Sequence, residues 1–320
     1  MRYKLGLVYI GVLASLVAPV LAQEQSAAPE AAVPTLGFAP TATPGEFSFD
    51  TGALRGVLRQ GGASIGLVPM EHVPTGIPLS KSPGILDHYR VFTTNHRYGE
   101  SARSLPSESK LLPDGSLEVH WPSAEDRPYE ITSTFRWRDA ATADLQVEVQ
   151  ATMDLPDFEV FLASYCSERF PATSVYVKQA GDTGKPGFVI AEKESGPWQV
   201  FPRDAKASDI IKDGRWTIPP NPVDWAVMPE IAAPLAFRRE PSTGIVAMVM
   251  APPQESFAVF TPCRDDPHCS MYLALFGQTL KNGETARAHV RFAIAVNPTD
   301  DQVVTYYQDY LKEMGEKPKL

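Results

Sequence analysis

The densest set of chemistry-bearing side chains lies in one stretch, Leu86 to Gly99, which reads LDHYRVFTTNHRYG. Two of the chain's six histidines fall there, with two arginines and two tyrosines. If the stretch is an extended strand, His88 and Arg90 share a face, and Thr94 and His96 join them if the strand stays regular. Such a face supplies charge-assisted hydrogen bonds to a carboxylate or to sugar hydroxyls, and an imidazole that shuttles protons near neutral pH. The same residues also fit a strand whose polar side is solvated or paired within the fold, for example with Asp87 or Glu100. His88 and His96 have no recognisable third ligand by spacing, so no metal is expected.

Two further clusters carry chemistry. Tyr165, Glu168 and Arg169 end an apolar run, where Glu168 could act as a base or bond a sugar; the alternative is an ordinary salt bridge at a strand end. Trp198 to Asp204 reads WQVFPRD and joins Trp216 and Trp225 in a loop-rich region. Trp faces stack on sugar rings, and Arg203 with Asp204 suits hydroxyls; the alternative is that these rings fill the core or anchor a loop. His120 is a modest candidate, His268 sits in a turn, and His72 and His289 have no further context. Gly181 to Lys185 resembles a fragment of a phosphate loop but lacks its spacing and following helix, so it reads as a surface turn. No nucleophile elbow, zinc-protease helix or dinucleotide fingerprint is present, and no cofactor is expected.

The elements that must position these residues are strands. The chain has 320 residues with 30 Pro and 22 Gly, a turn-rich composition that argues against long helices. Tyr129, Ile131, Phe135 and Trp137 alternate with Glu130, Thr132, Thr134 and Arg136, and Leu145 to Thr152 repeats the pattern. Leu117 to Trp121 and Ala286 to Val296 do the same. Asp114-Gly115 and Asn282-Gly283 mark hairpin turns. Phe158–Tyr165, Gly244–Met250 and Met271–Phe276 are continuously apolar and suit strands covered on both faces. One helix is expected over about 300–314, opened by Thr299 or Asp300 and stopped by Gly315. The fold class is therefore all-β: a large antiparallel two-sheet sandwich with a C-terminal helix.

Residues 1–22 read as a secretory signal, with Arg2 and Lys4 ahead of an apolar run and Ala22 before the cleavage point; a membrane anchor is the alternative. Residues 23–44, rich in Ala and Pro, read as a disordered linker, and residues 45–320 as a single domain. The expected destination is secreted or periplasmic, with no membrane-spanning segment after cleavage. Losing Arg2 and Lys4 takes the net charge from −9 to −11, which leaves no electrostatic reason to hold nucleic acid. In an oxidising compartment, Cys263 and Cys269 are expected to bridge across Arg264 to His268, and Cys166 to be an inert buried thiol.

The strand-rich span from Gly45 to Val296, closed by the turn and long strand LKNGETARAHVRFAIAV from Leu280 to Val296, resembles the galactose-mutarotase-like super-sandwich of the aldose epimerases. The resemblance implies a concave sheet face that binds carbohydrate. The family's catalytic pair is a His acid and a late Glu base. Glu284 is the only acid near that end, and it flanks the Asn282-Gly283 turn, so those roles are not carried over. The expectation is a secreted carbohydrate-binding or carbohydrate-active protein. Its groove is expected to be lined by His88, Arg90, His96, Arg97, Tyr165, Trp198, Arg203 and Trp225. If it is catalytic, His88 or His96 serves as acid or base, with Glu168 as carboxylate partner. The alternative is a non-catalytic interaction domain of a larger cell-envelope assembly.

Overall fold

In a computed structural model of the chain, the described residues are Met1, 36–61, 66–181 and 184–316. The signal segment and most of the linker expected from sequence lie outside them. Five short strands open the fold and pair in chain order: β1 (Ala39–Pro40), β2 (Glu46–Asp50), β3 (Leu54–Arg59), β4 (Gly66–His72) and β5 (Ile77–Pro78). The folded region thus begins ahead of residue 45. Phe38 is buried against Phe49 and Trp137, which draws the end of the expected linker onto the core.

The next strands are β6 (Asp87–Thr93), β7 (His96–Arg97), β8 (Glu108–Leu111), β9 (Leu117–Trp121), β10 (Tyr129–Asp139), β11 (Thr142–Ala151) and β12 (Leu155–Tyr165). They are followed by β13 (Thr173–Val177), β14 (Gly187–Ile190), β15 (Trp198–Pro202), helix α1 (Ala205–Ile211), β16 (Ala226–Val227) and β17 (Ile231–Arg239). The chain closes with β18 (Ile245–Met250), β19 (Ser256–Pro262), β20 (Ser270–Leu280), β21 (Thr285–Val296) and helix α2 (Asp300–Glu313). A nine-stranded sheet runs β14-β13-β17-β18-β21-β11-β10-β9-β8, and a seven-stranded sheet runs β16-β15-β19-β20-β12-β6-β7. Every pairing is antiparallel except β15 with β16.

The period-two pattern explains the layers. Along β10, Tyr129, Ile131, Phe135 and Trp137 are buried while Glu130, Thr132 and Thr134 are half-buried and Arg136 is exposed. These apolar faces pack against Phe158, Val160 and Leu162 of β12 and Leu273 of β20, forming the core between the two large sheets. The outer face of the nine-stranded sheet is covered by α2, whose Val303, Tyr307, Tyr310 and Leu311 pack on Leu235, Val246 and Met248. Thr299 and Gln302 form a capping box at its start. The outer face of the seven-stranded sheet is covered by α1, which the sequence pattern did not announce, and by the segment after it. The all-β sandwich with a C-terminal helix is thus present, with a third, five-stranded sheet added. Among the described residues, no helix is long and apolar enough to cross a membrane.

Candidate functional site

The outer face of the seven-stranded sheet holds a cavity of about 430 Å³. Its floor is built from Tyr89 and Arg90 of β6, Phe161 and Tyr165 of β12, and Tyr272 of β20. Its walls are Trp198 at the start of β15, Trp216, the turn Asn221 to Val223, Trp225, and His268 at the rim. The rings form a continuous set. Phe161 stacks on Tyr272 at 4.9 Å, and Trp216 meets Phe161 edge-on at 4.7 Å. Trp225 contacts Trp216 at 5.2 Å and Trp198 at 5.7 Å, and Trp198 contacts His268 at 4.9 Å.

A local irregularity puts Tyr89 and Arg90 there together. Phe161 pairs with Arg90, but Leu162 pairs with His88, so β6 carries a one-residue bulge at Tyr89. The bulge reverses the alternation. Arg90 reaches the cavity on the outer face, whereas His88 turns into the inter-sheet core. There its Nε2 meets the Ser133 hydroxyl at 2.9 Å and its ring lies 4.9 Å from Trp121. Burial pushes the His88 imidazole down to about 3, so it stays neutral and cannot shuttle protons near pH 7. The expected common face of His88, Arg90, Thr94 and His96 does not form.

The segment that walls the cavity is tied down by arginines. Arg215 is fully buried and bonds Glu159 of β12 at 2.8 Å and Asp213 at 2.8 Å, which fixes Trp216 beside it. Gly214, at φ 101°, permits the entry turn, because a Cβ there would lie 2.5 Å from the Asn95 side-chain oxygen. Arg97 donates from Nη1 to the carbonyls of Pro220 at 2.7 Å and Ile218 at 3.3 Å. Arg90 donates from Nη2 to the Asn221 carbonyl and to the Tyr89 hydroxyl, both at 3.0 Å. Residues 215–225 thus form a strap across the sheet, held through backbone carbonyls.

Arg90, Tyr165, Trp198 and Trp225 of the expected site come together in this cavity. Arg97 supports its wall from behind. The others do not join it. His96 is exposed on β7 and packs edge-on to Tyr98. Glu168 is 83% exposed and lies 3.9 Å from Lys81. Arg203 pairs with Asp204, the cap of α1, at 3.0 Å. Trp216, named from the sequence with the other two tryptophans though not placed in the groove, joins them here. Sequence reasoning missed Tyr89, Phe161, His268 and Tyr272 as cavity residues.

The expected disulfide is absent: Cys166, Cys263 and Cys269 are all buried free thiols. The Cys269 thiol is turned to the Asp266 carbonyl, and its backbone pairs across the sheet with Cys166, whose N–H donates to the Cys269 carbonyl at 3.0 Å. Burial pushes the Cys166 thiol up to about 12.

Chemically, the cavity offers ring faces, a buried guanidinium and hydroxyls. The Tyr165 and Tyr272 hydroxyls are hydrogen-bonded, and Ser270 donates to Tyr272 at 2.6 Å. Burial raises both phenols, Tyr272 to about 12. At the rim, His268 Nδ1 lies 2.7 Å from Asp266 Oδ1. Among the described residues, no Asp or Glu lines the cavity. Among the described residues, no group of three His, Cys, Asp or Glu side chains is arranged to hold a metal.

No protein-family model matches the chain, and no curated protein matches it. Solved structures do. A candidate aldose 1-epimerase from Escherichia coli K12 is 13% identical, covering 78% of this chain and 99% of that one at a TM-score of 0.45. An α-N-acetylgalactosaminidase from Bifidobacterium bifidum, in complex with GalNAc, is 12% identical, covering 84% of this chain at a TM-score of 0.51. The chain spans 39% of that enzyme's length. A heparan sulfate lyase from Pedobacter heparinus is 7% identical, with 84% and 38% covered and a TM-score of 0.47. At these identities the likeness is one of fold.

Proposed function

We propose that this protein binds carbohydrate in the aromatic cavity of the seven-stranded sheet, and that it does so outside the cytoplasm. One observation carries the binding reading: Trp198, Trp216 and Trp225 converge with Phe161 and Tyr272 on one cavity that also presents Arg90. Flat aromatic faces take the C–H faces of a sugar ring, while the guanidinium and phenols satisfy hydroxyls. The fold's presence in a protein solved with GalNAc supports the same reading. Export rests on Arg2, Lys4 and the apolar run that follows.

Recognition without turnover is favoured, because no carboxylate lines the cavity and the expected bases His88 and Glu168 lie elsewhere. A second reading rests on His268, whose Nδ1 is held by Asp266 at 2.7 Å with the other ring nitrogen left to exchange a proton at the rim. A glycan array of the purified chain, followed by an oligosaccharide-turnover screen of whatever binds, separates the readings. Binding that Trp225→Ala abolishes, with no turnover, supports the first. Turnover that His268→Ala removes supports the second. Silence across neutral, amino and acidic glycans favours an interaction domain of a larger envelope assembly.

A further inference from the structure

The cavity's charge points to a narrower class of ligand. Fully buried Arg215 bonds the acids Glu159 and Asp213, and half-buried Arg103 lies 3.1 Å from Asp87, whereas fully buried Arg238 bonds the Thr173 hydroxyl and the Phe170 carbonyl. Arg90, only 3% exposed, bonds two neutral oxygens through Nη2, while its Nε and Nη1 have no hydrogen-bond partner among the described residues. Its guanidinium also lies over the faces of Tyr89 at 4.7 Å and Trp216 at 5.3 Å, within electrostatic reach of the buried Glu159. Arg97 is also buried and bonds only carbonyls: Gly99, Ile218 and Pro220. Two guanidinium charges therefore lie behind a cavity whose lining contains no acid. A buried cation with unfilled donors is costly unless an anion completes it.

Resting on the carbohydrate reading above, we propose that the sugar carries an anionic group, a carboxylate or a sulfate, that binds the Arg90 fork by displacing the Asn221 carbonyl. A planar guanidinium presents two parallel N–H groups that fit a carboxylate or sulfate edge, which one carbonyl oxygen cannot fill. The ring of the ligand lies on the half-buried Trp198 and Trp225, and its charge lies at the cavity floor. The Asn221 carbonyl is the exchangeable partner because it belongs to an exposed turn of the strap.

The test uses matched probes on the full chain by isothermal titration: trigalacturonate against galactotriose, and galactose 6-sulfate against galactose. At least one charged member is expected to bind about tenfold to a hundredfold more tightly than its neutral counterpart, the worth of a charge-assisted bond. Which pair shows the gap tells carboxylate from sulfate. Arg90→Gln is expected to collapse the gap and Arg90→Lys to keep part of it. Equal affinity for charged and neutral members in the unaltered protein overturns the anionic assignment and leaves the carbohydrate reading standing. A gap that survives in folded Arg90→Gln also overturns it. A glycan array without binding overturns both. The comparison within the unaltered protein needs no variant to fold.

Discussion

Arg215 is fully buried and bonds the carboxylate of Glu159 at 2.8 Å, joining the strap over the cavity to the central strand β12 beneath it. The two residues are 56 positions apart in sequence. Asp213 completes the grip at 2.8 Å, so the guanidinium is shared between a sheet residue and the strap's own entry turn. The position of Trp216, and through it of Trp225, follows from this anchor.

Glu159→Gln should therefore destabilise the protein by about 3 kcal/mol, because it leaves part of a buried charge without its partner. Urea unfolding followed by circular dichroism measures this. A loss under about 1 kcal/mol would show that Asp213 alone suffices to hold Arg215.

His88 gives stability a pH dependence. Its folded imidazole is held at about 3 by burial, while the unfolded one titrates near its ordinary 6.5. Below 6.5 the unfolded chain takes up a proton that the folded chain refuses, so stability falls as pH falls from 6.5 towards 3. The His88 contribution has a limiting slope of about 1.4 kcal/mol per pH unit. Stability of the parent and His88→Gln, measured across that range, should differ in slope. Parallel curves would refute the buried neutral state.

Trp198 is half-buried at the rim, so Trp198→Ala should weaken glycan binding by about tenfold or more while costing under about 2 kcal/mol in stability. Phe161→Ala, by contrast, empties a fully buried site and should cost about 3–5 kcal/mol. Affinity and melting temperature, read together, distinguish the two. Unchanged affinity in Trp198→Ala counts against the cavity as the binding site.

Glu168 stands in solvent, so Glu168→Ala should leave stability within about 0.5 kcal/mol and glycan binding unchanged. Loss of binding in this variant would return Glu168 to the site.

Thiol titration should find three reactive groups in denaturant and almost none in the native protein, since all three cysteines are buried and free. One reactive thiol under denaturing conditions would instead restore a bridge.

The strand architecture was legible in the sequence because burial follows a local rule. Side chains alternate across a pleated strand, and β10 obeys that rule from Tyr129 to Arg138 and β11 from Ala143 to Ala151. Helix α2 was legible for a similar reason, with its capping box and apolar spacing contained within 16 residues, Thr299 to Met314. Arg90, Tyr165, Trp198 and Trp225 could be named from the sequence, because arginines and aromatics in sparse, punctuated surroundings suggest a site, and all four line the cavity. The facing of His88 was not legible. A one-residue bulge shifts the phase of β6, and its register is set by β12, some 70 residues away in sequence, rather than by β6 itself. The cavity had the same origin: β6, β12, β15, β20 and the strap supply it from five separate stretches of chain. Composition and periodicity determined that this protein would be a β-sandwich with a capped C-terminal helix. Pairing between distant strands decided which polar residues face the cavity and which are sealed in the core, because only the neighbouring strand fixes where the alternation breaks.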